Sequence, residues 1–294
     1  MAYLNDQIED FPSPISLRRE LSCRALALAA SEKHLHEVLD GEIPSIIFGR
    51  DETGCHGNFY TASYERICSE PLWARRLEKV HTASRKSKCR ANWRWMELDC
   101  ANSSDALLMN IFCYPETLRD GRVAHLLGVE IDAMPEFGFK PRTPLHAGRR
   151  DSTEIDMKIG NLLLEAKLTE SDFQWAKPRM IDRYRDLEEI FHRDELHVSK
   201  DRYGSYQLIR GTLAAYATNS SFCVLCDARR PDLKERWYAV MRAVRCADLR
   251  CRLKILTWQE LASVLPAGLQ AFLDVKYGIT PWRTFRFQGC LLSH

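Results

Sequence analysis

No apolar run in this 294-residue chain approaches the roughly 20 residues that a membrane-spanning helix needs. Residues 1–14 lack the basic start and apolar stretch of a secretory signal. A soluble, cytoplasmic protein with no membrane partner is expected. There is no P-loop and no glycine-rich dinucleotide loop, which removes the commonest phosphate-cradling enzymes. Heptads, internal repeats and low-complexity tracts are also missing, so neither a coiled coil nor a solenoid is expected. Charge of one sign is not in excess either, since the formal net charge is only +2. Cysteine is plentiful, but an odd count of eleven without a secretory leader argues for reduced thiols rather than a disulfide framework. Cys223 and Cys226 form a lone CxxC inside the apolar run 221–227. Strand alternation sends those two thiols to different faces, so a zinc site completed by Cys246 and Cys251 is the weaker reading.

With 45% hydrophobic and 28% charged residues, the chain has ample material for a core. Its length suits one large domain, or one domain with a sizeable extension. The charge is unevenly spread. Residues 1–52 carry ten acidic and five basic side chains. Residues 75–94 then hold eight basic side chains (Arg75, Arg76, Lys79, Arg85, Lys86, Lys88, Arg90 and Arg94) against Glu78 alone, with Trp73, Trp93 and Trp95 among or beside them. Basic groups meet phosphates and rings stack on bases, so Arg85, Lys86, Lys88, Arg90 and Arg94 are candidate nucleic-acid contacts. A solvated loop with buried tryptophans is the alternative.

The chain is organised around residues 152–169. Segments 153–159 and 162–168 suit strands, and Gly160 with Asn161 between them is a two-residue turn signal. Alternation puts Glu154 and Asp156 on one strand face, and Glu165 and Lys167 together on the other strand, with Ala166 pointing into a core. Carboxylates suit a hard cation such as Mg²⁺, and a lysine can hold the attacking water or stabilise charge on a phosphate. Charges on a strand as apolar as Leu162, Leu163, Leu164 and Leu168 make it are costly unless paired or metal-bound.

Asp156 followed by Glu165-Ala166-Lys167 resembles the PD-(D/E)xK nuclease superfamily, with Ile155 where that motif has proline. The match covers about residues 103–227, and the element order resembles a bacterial group of restriction-endonuclease-like proteins. The resemblance implies an α/β fold with a restriction-endonuclease-like core: a helix, a three-stranded antiparallel meander, a helix, and further strands of a mixed sheet. It implies Mg²⁺ (or Mn²⁺) held by Asp156, Glu165 and the Ala166 carbonyl, with Asp105 and Glu154 as further candidate ligands and Lys167 positioning or deprotonating a water. Gln207 and Arg210, on the helix after the motif, are second-tier site candidates. Gly211 four residues after Gln207 departs from the glutamine-tyrosine signature of one exonuclease branch. DNA is the implied partner and a homodimer a further expectation. The alternative is a non-catalytic nucleic-acid-binding or assembly protein on a nuclease-like scaffold. Alanine at Glu165 or Lys167 is expected to stop cleavage with the fold intact.

Elsewhere, residues 16–40 read as a helix that includes Leu35 and Leu39, and 43–48 as a short apolar run. The turn-rich loop 51–64 carries His56 with no assigned role. A helix broken at Pro71 is expected over 64–80. Ser103 or Ser104 suits a helix N-cap, with Asp105 in the first turn. Residues 135–145 suit an edge strand limited by Pro141 and Pro144. The charged stretch 169–200 reads as a long mobile insertion, helical at 182–191 and either a lid, a DNA contact or a plain surface excursion. Helices are expected over 203–217, 232–244 and 268–277, strands over 221–227 and 252–256, and a capping box from Thr257 to Glu260. Arg229 and Arg230, just past a strand end, are candidate phosphate contacts. An accessory region over 1–95 and a nuclease domain over 96–294 complete the expectation.

Overall fold

The computed structural model describes residues 13–80 and 96–281. Arg85, Lys86, Lys88, Arg90 and Arg94 lie outside the described residues.

Helix α1 (Pro14–Glu32) starts at Ser13, whose hydroxyl accepts from the Ser16 N–H, and has proline in its first turn, where a missing N–H costs nothing. It ends at Lys33, which adopts a left-handed conformation, so Leu35 and Leu39 do not continue the helix as expected. Instead β1 (His36–Leu39) pairs antiparallel with β2 (Ser45–Phe48) in a small separate ladder. Then come α2 (Thr61–Ser69), a short helical turn at Pro71–Ala74, α3 (Ser104–Phe112) and α4 (Gly121–Leu127). Ser103 caps α3 through the Ala106 N–H at 3.1 Å, but α3 is buried on all sides from Asp105 onward rather than amphipathic.

The central sheet is built from β3 (Pro135–Phe139), β4 (Ile155–Ile159) and β5 (Leu162–Ala166), followed by α5 (Tyr206–Ala217), β6 (Ser221–Cys226), α6 (Pro231–Arg242) and β7 (Leu253–Thr257). Its five strands run in the order β7-β6-β5-β4-β3. β3, β4 and β5 form an antiparallel meander, and β6 and β7 add parallel to β5. The β4–β5 hairpin turns at Gly160, whose φ of +53° is the left-handed value that favours glycine. Helices α7 (Trp258–Ala262) and α8 (Ala267–Tyr277) are the last helices among the described residues, α7 entered through the expected box between Thr257 and Glu260.

Each face of the sheet has its own core. Leu163, Phe222 and Val224 pack with α5 and α6, while Leu162, Leu164, Ala166 and Leu168 pack with α1, α3, α4, α7 and α8. Cys223 and Cys226 fall in opposite cores, as strand alternation dictates. Residues 169–200 are a correction. They form two single helical turns, Pro178–Ile181 and Leu187–Ile190, and no helix over 182–191. Phe173, Ile181, Tyr184, Leu187, Ile190 and Phe191 are all buried against α5 and β6, so the segment is part of the core. Among the described residues no helix is long and apolar enough to cross a membrane.

Candidate active site

The β4–β5 ladder ends at the pair Met157 with Leu164. Asp156 and Glu165 are the next residues along the two strands, at the point where the strands diverge. Divergence strips the Ala166 N–H of a main-chain partner, and a buried N–H must find another. Asp156 supplies it: its Oδ2 accepts from Ala166 N at 2.7 Å. On its other side β5 stays paired, with Lys167 N–H donating to the Leu225 carbonyl at 2.8 Å. The main-chain groups of Ala166 therefore face β4 and the acidic pair.

Glu165 is fully buried and Lys167 nearly so, at 0% and 5% exposure. Lys167 Nζ donates to Glu165 Oε1 at 2.9 Å, and Gln207 Nε2, from the first turn of α5, donates to the same oxygen at 2.7 Å. Glu165 Oε2 is buried with no hydrogen-bond partner. Trp258 fixes Lys167 from behind, its indole N–H donating to the Lys167 carbonyl at 2.8 Å. Glu170, which the sequence did not single out, accepts from the Leu168 N–H and the Ser104 hydroxyl, both at 2.6 Å.

The electrostatics follow from this crowding. Desolvation, then repulsion by Glu165 and by Asp105, push the Asp156 carboxyl well above its ordinary pKa, against the pull of Lys167 and the Ala166 N–H. Burial works against the Lys167 ammonium, yet Glu165, Glu170 and Asp156 outweigh it and raise its pKa above the usual lysine value. The centre thus has an acidic excess that a single fixed lysine does not discharge. A divalent cation with oxygen ligands fits it: one buried carboxylate oxygen lacks any donor, and a second carboxylate is held beside it against repulsion. Among the described residues no group of three or more His, Cys, Asp or Glu side chains is placed to hold a metal.

The other candidates divide. Gln207 reaches the centre directly. Arg210 is buried in the next turn of α5, and its Nη2 donates to the Glu154 carbonyl at 3.0 Å, bracing the start of β4. Asp105 and Glu154 carry cationic partners: Arg76 donates to Glu154 at 3.1 Å and to Asp105 at 2.9 Å, and Lys79 to Asp105 at 3.0 Å. Arg76 and Lys79 had been counted only within a basic stretch, and their 26- to 29-residue separation from Asp105 hides the pairing from any local pattern. Arg229 and Arg230 are a correction. Arg230 is fully buried, clamped on Asp232 and the Glu170 carbonyl, and Arg229 is engaged by Asp227, Glu20 and the Tyr277 carbonyl. Both have structural partners where phosphate contacts were expected. His56 is buried and paired with Asp99 at 3.1 Å, away from the centre.

A family model described as Restriction Endonuclease associating with ARP matches residues 28–278. The chain belongs to that family. Membership places it in the restriction-endonuclease-like PD-(D/E)xK superfamily, in agreement with the resemblance carried by Asp156, Glu165 and Lys167. The family match begins in the last turn of α1 and takes in the whole central sheet. No curated protein and no solved structure matches the chain.

Proposed function

We propose that this chain is a Mg²⁺- or Mn²⁺-dependent endonuclease that hydrolyses DNA phosphodiester bonds on a restriction-endonuclease-like core. The observation that carries the reading is the partnerless, fully buried Glu165 Oε2 on the strand next to Asp156, whose carboxyl is pushed up by burial first and by Glu165 second. Family membership and the antiparallel meander followed by parallel strands support it. Held by Asp156, Glu165 and the Ala166 carbonyl, a divalent ion would supply Lewis-acid polarisation of the scissile phosphate and acidify water.

The chain's own groups do the rest. The Ala166 N–H locks the Asp156 carboxylate in place, and Gln207 with Lys167 engages Glu165 Oε1, so Oε2 alone is left to bind. Lys167 holds its proton firmly, which suits a fixed cation that orients water and stabilises charge on the phosphate, rather than a base. The family description names ARP as an associated protein, and association with ARP belongs to the proposal.

Cleavage of linear, closed circular and single-stranded DNA with Mg²⁺ tests the reading. The expected result is nicking or linearisation of circles by the wild type and none by Glu165→Gln or Lys167→Met. Unchanged cleavage by both variants rejects it. DNA binding without cleavage or metal binding instead favours a scaffold that only binds.

A further inference from the structure

Glu170 is engaged by the Leu168 N–H and the Ser104 hydroxyl, and the protein treats Asp156, Glu165, Asp105 and Glu154 as two unlike pairs. Asp156 and Glu165 have one lysine between them. Asp105 and Glu154, the outer pair, are bridged by one guanidinium, since Arg76 reaches Asp105 with Nη2 and Glu154 with Nη1. Lys79 adds a second cation on Asp105 and pairs with Glu97 at 3.2 Å. The Arg76–Asp105 pair is no loose surface contact, since Arg76 keeps only 13% of its side-chain exposure and Asp105 only 9%, while Glu154 and Lys79 are half-buried at 37% and 32%.

A separate feature of the sheet makes room for the bridge. Gly138 lies on β3 between Phe137, paired with Met157, and Phe139, paired with Ile155, and so across from Asp156. Its φ is +66°, and a Cβ placed there would stand 2.2 Å from Arg76 Nη1 and 3.1 Å from Glu154 Oε2. The bare backbone at Gly138 is the floor on which the guanidinium rests. The two cations come from the short turn Arg75–Glu78 and the residue that follows it, and the chain there is pinned by an antiparallel bridge between Val80 and Met96.

We propose that Arg76 and Lys79 are built-in cations of this centre: they occupy the outer acidic pair, Asp105 and Glu154, so that the site takes one divalent ion and not two. This rests on the metal-dependent reading above and deepens it. Asp105 then acts through Arg76 and Lys79 as a positioning residue, and it is not a ligand. The same arrangement places two positive charges beside the carboxylates without a second ion, where a phosphodiester carries its charge.

Calorimetric titration of Mn²⁺ into the metal-free full chain, read as ions bound per chain, tests this. One ion is expected for the wild type, for Asp105→Asn and for the conservative Arg76→Lys. In Arg76→Met with Lys79→Met, where Asp105 loses both of its cations and Glu154 keeps only the exposed Lys140 at 3.8 Å, a second, weaker ion is expected. Arg76→Gln with Lys79→Gln offers the same test if the methionine variant does not fold, because it too removes both cations from Asp105. Two ions on the wild type, loss of the ion in Asp105→Asn, or a single ion in both releasing variants overturns the inference and leaves the metal-dependent reading standing. No ion on the wild type overturns that reading and this inference together.

Discussion

Two corners of the sheet bury charge at the ends of adjacent strands, and they treat it differently. Past β6, Asp227 is fully buried, yet it accepts from Arg229 and from the Gln259 amide at 2.8 to 2.9 Å. Arg230 beside it is equally buried and spends its guanidinium on Asp232 and two main-chain carbonyls. Past β5, Glu165 is as deeply buried but keeps one oxygen without a partner, and Asp156 is crowded by like charge. Burial of charge is common to both corners. What separates them is the pairing of the buried carboxylate. Both oxygens of Asp227 accept hydrogen bonds, a finished network, while Glu165 keeps Oε2 without a donor next to repelling carboxylates, the unfinished opening that the proposed divalent ion would fill.

Changes at the unfinished corner should weigh most on activity. Glu165→Gln and Lys167→Met are each expected to lower cleavage by about 100-fold or more, the scale on which removal of one charge-stabilising group is felt. Alanine at either position adds a stability loss of about 3–5 kcal/mol, because it strands the other half of a buried pair. The expectation of an intact fold in those alanine variants is thereby revised, and thermal denaturation beside the cleavage assay separates the two effects. At the finished corner the sign of the comparison reverses. Arg230→Met should cost about 2 kcal/mol of stability by leaving buried carbonyls without donors, with DNA affinity of the folded variant unchanged. A weaker salt dependence of DNA binding in Arg230→Met would restore the phosphate contact that the structure argues against.

Smaller effects probe how the unfinished corner is held. Gln207→Ala should lower activity or metal affinity by about 10-fold, as for other groups that orient a ligand, and a larger drop in melting point than in activity would mark Gln207 as scaffold. The least effect is one of pH. Burial and the neighbouring carboxylates raise Asp156 above the ordinary aspartate pKa of about 3.9 in the fold, so its protonated form contributes stability that is complete below that value and is lost as pH rises through the raised one. In the presence of a chelator, the melting midpoint of the wild type relative to Asp156→Asn should fall as pH rises from about 4. A difference that stays flat with pH breaks the argument from crowding.

What could be read in the sequence was local. The hairpin at Gly160, the Ser103 cap, the Thr257–Glu260 box and the opposite facing of Cys223 and Cys226 each depend on a few neighbouring residues, and all appear in the fold. Asp156, Glu165 and Lys167 were legible because alternation along two adjoining strands sets where they point. The failures share a different cause. Leu35 and Leu39 kept helical spacing past Lys33, and only the backbone reversal there ends α1. Segment 169–200 looked like a solvated excursion because its charges are visible and their partners are not: Arg193 pairs with Glu188 and with Asp182, and Arg183 with Asp151 across 32 residues. Once those charges are paired off, the remaining Phe173, Tyr184 and Phe191 are core. Arg230 misled in the same way, and Arg76 and Lys79 were hidden in it, since no local pattern says which cation meets which carboxylate.

On the proposed function, Asp156 and Glu165 are kept from full pairing so that a divalent ion can complete them. Isothermal titration of Mg²⁺ into the wild type, Asp156→Asn and Glu165→Gln, all checked for folding, measures this without reference to any substrate. The account predicts saturable binding by the wild type and its loss in both variants. Binding of equal affinity in all three would contradict it.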